Sequence, residues 1–171
     1  VISRILLAAC FAGLSASAGI AADYQASLGP MPLDDETKAV IAGRGAATAG
    51  FDGTMLTVKG SFHGLPSPAT AAHLVMGRWI GVPGKPVADL TVTKAIAGDV
   101  SATLTLTGEQ AQALRTGRLY IQIDSEKGPE QYTWGPKGTL WGWIFPAHDT
   151  VDQNVPQAGH WFIPQLDTPR H

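Results

Sequence analysis

Few side chains in this sequence could do chemistry, and His73 is the first of them. It lies in Ala71-Ala72-His73-Leu74-Val75-Met76, an apolar run that reads as a strand. Neutral imidazoles hold zinc or copper when three or four ligands converge. Asp124, in Leu119-Tyr120-Ile121-Gln122-Ile123-Asp124, is the residue that could join His73. Together they make two metal-ligand candidates where a site needs more. The alternative is a hydrogen-bonded, partly buried strand histidine. The shortage of ligands favours that alternative, so no metal or other cofactor is expected. His148, Asp149, Asp152, His160 and His171 match no usual ligand spacing and read as exposed loop residues.

Nucleophilic catalysis finds no footing. Ser61 and Ser67 are not set in a nucleophile elbow, and the single cysteine, Cys10, lies in the apolar N-terminal run. Asp34-Asp35-Glu36 are adjacent carboxylates, a poor arrangement for an opposed acid and base. Gly43-Arg44-Gly45 is not followed by a helix, so it is no phosphate loop. A non-enzymatic protein is the expectation.

Aromatic residues are the other candidates. Trp141, Trp143 and Phe145 alternate onto one strand face, and Tyr120 lies on another strand. An exposed surface of Trp141, Trp143 and Tyr120 would suit stacking on sugar rings or a protein partner. The alternative is that these rings fill a sheet interface, or lie under the C-terminal tail with Trp161 against them. Large exposed apolar patches are uncommon, which favours burial.

These residues need a scaffold, and residues 100–125 describe it best. Val100, Ala102, Leu104 and Leu106 alternate with Ser101, Thr103, Thr105 and Thr107. That is the signature of a strand buried on one side and wet on the other. Thr107 and Gln110 form a capping box for a short helix ending at Gly117. Ala111 and Leu114 would face the sheet. The next strand points Leu119, Ile121 and Ile123 inward and Tyr120, Gln122 and Asp124 outward.

Earlier in the chain, Asp52-Gly53 marks a hairpin between residues 40–49 and 54–63. Residues 71–76 and 87–93 read as strands, with residues 81–86 as a loop between them. Residues 139–145 form the last strand. Seven strands and one short helix give an all-β expectation: an antiparallel, immunoglobulin-like, Greek-key β-sandwich over residues 40–146. A small closed barrel is the alternative. Residues 23–39 read as an extended arm, and residues 147–171 as a tail docking on the domain.

Residues 1–22 have the form of a secretory signal peptide. Arg4 is their sole charge, Ile5 to Leu14 are apolar, and small residues lead to Ala21-Ala22. The apolar run is too short to span a bilayer as an anchor. Leu7-Ala8-Ala9-Cys10 resembles a lipoprotein box, but Cys10 sits inside the apolar run instead of closing it. Export to the periplasm or cell exterior is therefore expected. Past the signal no cysteine remains, so neither disulfides nor thiolate ligands are expected. The formal net charge of −2, with no basic block, gives nothing for nucleic acid to bind. A protein or glycan partner is left as the expectation.

Several segments, taken in order, resemble the CHRD domain. They are Ala69-Thr70-Ala71-Ala72-His73, Gly81-Val82-Pro83-Gly84, Leu104 to Thr107, Leu114-x-x-Gly117-x-Leu119-Tyr120-Ile121 and Gly138-Thr139-Leu140-Trp141-Gly142. The resemblance covers about residues 40–146. It implies an extracellular or periplasmic module with an immunoglobulin-like sandwich, and it assigns no reaction. Relatives often carry His-x-His in the third strand, where this chain has His73-Leu74-Val75. They often carry a histidine where this chain has Asp124. Their Gly-Glu-Ile-Arg-Gly stands here as Gly138-Thr139-Leu140-Trp141-Gly142.

Overall fold

The computed structural model describes residues 24–31, 41–127 and 138–147. The strands are β1 (Tyr24–Pro30), β2 (Arg44–Phe51), β3 (Met55–His63), β4 (Ala69–Trp79), β5 (Val82–Val92), β6 (Gly98–Thr105), β7 (Leu119–Ser125), β8 (Gly138–Trp143) and the short β9 (Phe145–Pro146). One helix, α1 (Gly108–Arg115), lies between β6 and β7. Among the described residues no helix is long and apolar enough to cross a membrane. The signal segment, Asp34-Asp35-Glu36 and the tail beyond Ala147 lie outside the described residues.

The sheet closes on itself. Around the wall the order is β1-β2-β3-β6-β5-β4-β7-β8 and back to β1, with every pairing antiparallel. This is an eight-stranded β-barrel, and it overturns the open immunoglobulin-like sandwich. The segment responsible for the difference lies not in the seven expected strands but before them. Tyr24–Pro30, read from sequence as part of an arm, is the eighth strand. Tyr24 to Leu28 pair with Ala49 to Gly45 of β2; Gly29 and Pro30 then cross over to pair with Trp141 and Leu140 of β8. A sandwich would leave both of those edges open, and closure removes them. The Greek-key connections survive, since β3 lies beside β6 and β4 beside β7.

Residues 81–86 are the second correction. Residues 82–86 form the start of β5, not a loop, and the β4–β5 hairpin turns at Ile80-Gly81. Glycine and proline suggested a break there. However, proline is tolerated on a strand whose N–H side is unpaired. Among the described residues β5 pairs with β6 only at Thr91–Ser101 and Val92–Val100, leaving Pro83 and Pro86 clear of that ladder.

The barrel interior is occupied by apolar side chains. Leu119, Ile121 and Ile123 of β7 point inward as expected, as do Leu56, Val58 and Phe62 of β3 and Leu140 of β8. In β6, Val100 is buried and Ser101, Thr103 and Thr105 are exposed, while Ala102 and Leu104 are half-buried beside the short β5–β6 seam. An eight-stranded barrel is just wide enough to be filled in this way, so the site for a ligand must be sought outside it.

At the β2–β3 turn the Asp52 carboxylate accepts the N–H groups of Met55 (2.7 Å) and Thr54 (2.9 Å). Those two bonds hold its pKa below the ordinary carboxylate range. Helix α1 packs against the end of the barrel through Ala111, Ala113 and Leu114. Its capping box is complete: Thr107 Oγ1 accepts the Gln110 N–H (3.2 Å), and Gln110 Oε1 accepts the Thr107 N–H (2.9 Å). At the other end Gly117, at φ 67°, sets up a Schellman ending with Arg118 N–H on the Ala113 carbonyl and Gly117 N–H on that of Leu114. Thr107→Ala is expected to cost about 1 kcal/mol of stability, read as a shift of the urea midpoint at unchanged slope.

Candidate functional site

The outward faces of β4, β7 and β8 carry the histidine, carboxylate and aromatic candidates that the sequence singled out within the described residues, and β5 runs beside β4. Strand alternation sends Ala72 and Leu74 into the core and His73 outward. Register then decides its neighbours. His73 lies opposite Gln122 on one side and opposite Asp89 on the other. The second pairing depends on a bulge between Leu74 and Val75. Without that one-residue shift, the hairpin register set at Trp79–Val82 would place Ala88 across from His73.

His73 is held between two carboxylates. Its Nδ1 lies 2.8 Å from Asp89 Oδ1, and its Nε2 lies 3.6 Å from Asp124 Oδ2. Asp124 is in turn oriented by Gln122, whose Nε2 donates to Asp124 Oδ1 at 2.8 Å. The environments of the two acids differ sharply. The Asp89 side chain is 89% exposed, Asp124 11% and His73 23%. One carboxylate is thus a buried, prearranged acceptor, and the other is open to solvent.

The sequence paired His73 with Asp124, and the structure brings them together. It missed Asp89. The available signal was the hairpin itself: placing the turn at Ile80-Gly81 would have brought His73 within one residue of Asp89. His73, Asp89, Thr70, Ala71, Thr91 and Lys94 contribute to an open groove of about 360 Å³ on the outer wall. Among the described residues no cluster of three or more His, Cys, Asp or Glu is arranged to hold a metal ion.

The aromatic candidates are placed together, and they are buried. Tyr120, Trp141 and Trp143 are 1%, 1% and 3% exposed. The Tyr120 and Trp143 ring centroids are 4.5 Å apart; Trp141 meets Trp143 at 5.7 Å and Tyr120 at 5.8 Å, both edge-on. Met31 and Val75 complete this second apolar cluster, on the opposite side of the wall from the core. Its tightness is visible at Gly77, where any Cβ would lie 2.5 Å from Trp143 Cη2. As placed, these rings present no open stacking platform for a sugar. Burial pushes the Tyr120 phenol up to about 12; the Asp124 charge adds to this, and a backbone hydrogen bond from Gly84 opposes it.

The other residues weighed for catalysis have structural surroundings. Ser67 is buried and its Oγ accepts the Lys127 N–H at 2.9 Å. Ser61 is exposed on β3. His148, Asp149, Asp152, His160, His171 and Trp161 lie outside the described residues.

Comparison with known proteins gives one positive finding. The family model described as the CHRD domain matches residues 25–131. The match begins within β1, so the closing strand belongs to the matched unit. No curated protein and no solved structure matches.

Proposed function

The chain belongs to the CHRD domain family, and from that premise we propose that it is an exported, non-enzymatic binding module whose ligand seat is the outer groove over β4 and β5. The observation that carries this reading is the His73–Asp89 pair lining that groove, with Asp124 on the other side of His73. A filled barrel interior leaves the outer wall as the place to bind, and a groove of about 360 Å³ is the size of a small-molecule or short-peptide seat.

The polar groups suggest the ligand class. Asp89 is an open acceptor, His73 is orientated by its two acids, and Lys94 adds a positive charge in the groove lining. A small polar ligand carrying both an ammonium and an anionic or carbonyl group matches that spacing of signs. Free amino acids and short peptides have that chemistry. Export is supported by the form of residues 1–22.

Titration of the purified chain with amino acids and dipeptides, followed by the His73 imidazole resonances, tests the seat. Saturable shifts are expected, with at least a tenfold loss of affinity in Asp89→Asn, the equivalent of about 1.4 kcal/mol. Shifts that persist unchanged in that variant would place the ligand elsewhere. Turnover of ester, glycoside or redox substrates by the same preparation would overturn the non-enzymatic reading.

A further inference from the structure

The β4–β5 hairpin carries a feature that the outer groove does not use. Its tip exposes Trp79 (72%) and Ile80 (55%), the two most exposed large apolar residues beside Ile96 among those described. Solvated tips are ordinarily polar, so two adjacent large apolar side chains there call for a partner. Their surroundings indicate its charge. Arg78 precedes Trp79, and Arg118 is held beside the hairpin because the Gly77 N–H donates to its carbonyl at 2.8 Å. Arg115, in the last turn of α1, places its guanidinium 5.9 Å from the Phe51 ring centroid at the end of β2, away from the hairpin tip. Ile80 reaches toward that turn, its Cδ1 lying 3.4 Å from where a Cβ on Gly117 would stand. Lys85 pairs across from Met76 on the same ribbon. At this end of the barrel the described acidic side chains are Asp52 and Glu109, so Arg78, Lys85 and Arg118 beside the hairpin outnumber them.

The ribbon also argues against a strand-shaped partner. Its outer strand carries Pro83, Lys85 and Pro86 and a bulge at Val87. Missing N–H groups, a lysine and a bulge are the devices that keep an edge from pairing with another chain. What remains is an apolar tip with cations around it, and its complement is a surface that is apolar below and anionic at the top. Tryptophan beside arginine and lysine is the composition that settles at the level of lipid headgroups.

We propose that the hairpin tip, Trp79 and Ile80 with Arg78, Lys85 and Arg118, docks the barrel on an anionic lipid surface. Two apolar side chains give a shallow and reversible attachment, with the cations supplying part of the affinity. The docking does not depend on the ligand groove, whose residues lie elsewhere on the outer wall.

Co-sedimentation with vesicles tests it, using phosphatidylcholine alone and phosphatidylcholine with roughly one-third phosphatidylglycerol. The full chain is compared with Trp79→Ser, Arg78→Gln and Lys59→Gln in the same background, so that any binding through residues 5–14 appears equally in all. Anionic vesicles are expected to bind the parent chain in a salt-sensitive way. Trp79→Ser should lower the partition coefficient roughly tenfold through lost aromatic burial, and Arg78→Gln about fivefold. Lys59→Gln, on exposed β3, should bind as the parent does. Both tip residues are solvent-exposed, so matching thermal unfolding curves are expected to show that the variants remain folded. Equal binding to both vesicle types, or an unchanged partition in Trp79→Ser, would overturn the proposal. So would a concentration-dependent dimer that Trp79→Ser abolishes, since the tip would then seat a second copy of the chain.

Discussion

Leu28→Ala is expected to lower folding stability by about 2–5 kcal/mol, and Leu28→Asp to leave no stably folded barrel. Leu28 is 2% exposed and belongs to the main core. Its neighbours make it the keystone of closure. It pairs with Gly45 of β2, where a Cβ would lie 3.0 Å from Leu28 Cδ1, and a Cβ on Gly142 of β8 would lie 2.6 Å from Cδ2. The leucine therefore spreads over a glycine on each side, tying together the two strands that β1 joins. Truncation to alanine removes that contact from both neighbours and leaves a void that two glycines cannot fill. Aspartate would put a charge where no described partner could receive it. Urea unfolding at equal slope measures the loss. A change under about 1 kcal/mol would show that residues 24–30 are an appended arm rather than part of the wall.

Alkaline pH is expected to remove a contribution of about 3 kcal/mol that depends on Tyr120. Burial beneath Trp141 and Trp143, with the charge of Asp124 on the same strand face, raises the phenol from 10.0 to about 12 in the folded chain. The folded state thus binds the proton more tightly than the unfolded state. Its stabilising effect is fully present below pH 10 and is lost as pH rises from there through about 12. Urea unfolding between those limits should show the decline, and Tyr120→Phe should remove that part of it. Comparing the two chains separates Tyr120 from the other groups that titrate in the same range. A parent and a Phe variant with identical pH profiles would mean that the phenol ionises as freely folded as unfolded.

Much of the wall was legible because its strands obey local rules. The alternation in Val100 to Leu106, the Thr107–Gln110 capping pair and the inward set Leu119, Ile121 and Ile123 each depend on residues only a few positions apart. Closure was not legible for the opposite reason. Tyr24–Pro30 buries only the small Ala26 and one leucine, Leu28, with Tyr24 partly buried against the core, and Gly29-Pro30-Met31-Pro32 resembles a break. What makes it a strand is the company of β2 and β8, and no short-range pattern reports that. Residues 81–86 misled similarly: glycines and prolines that signal a loop in isolation are compatible with a ribbon whose outer edge is unpaired. At the site, His73 and Asp124 could be matched by face, because both lie on strands whose phase was clear. Asp89 could not, because its position opposite His73 is set by the Leu74/Val75 bulge, and a one-residue irregularity erases the information that alternation carries. The burial of Trp141 and Trp143 follows from a second apolar layer outside the wall, which the periodicity of a single strand does not foretell.

Joining the first strand to the last also sets a timetable. Tyr24 and Gln25 pair with Pro146 and Phe145, and the Gln25 amide donates to the Ala147 carbonyl, 122 residues away in the chain. The barrel cannot close until nearly all of the sequence through Ala147 is available to it. Contacts of such long range are made late and slowly, because the intervening chain must first lose the freedom of a very large loop. If the chain crosses a membrane as proposed, that delay would be useful: the topology that makes the finished wall seamless also keeps the chain open longest.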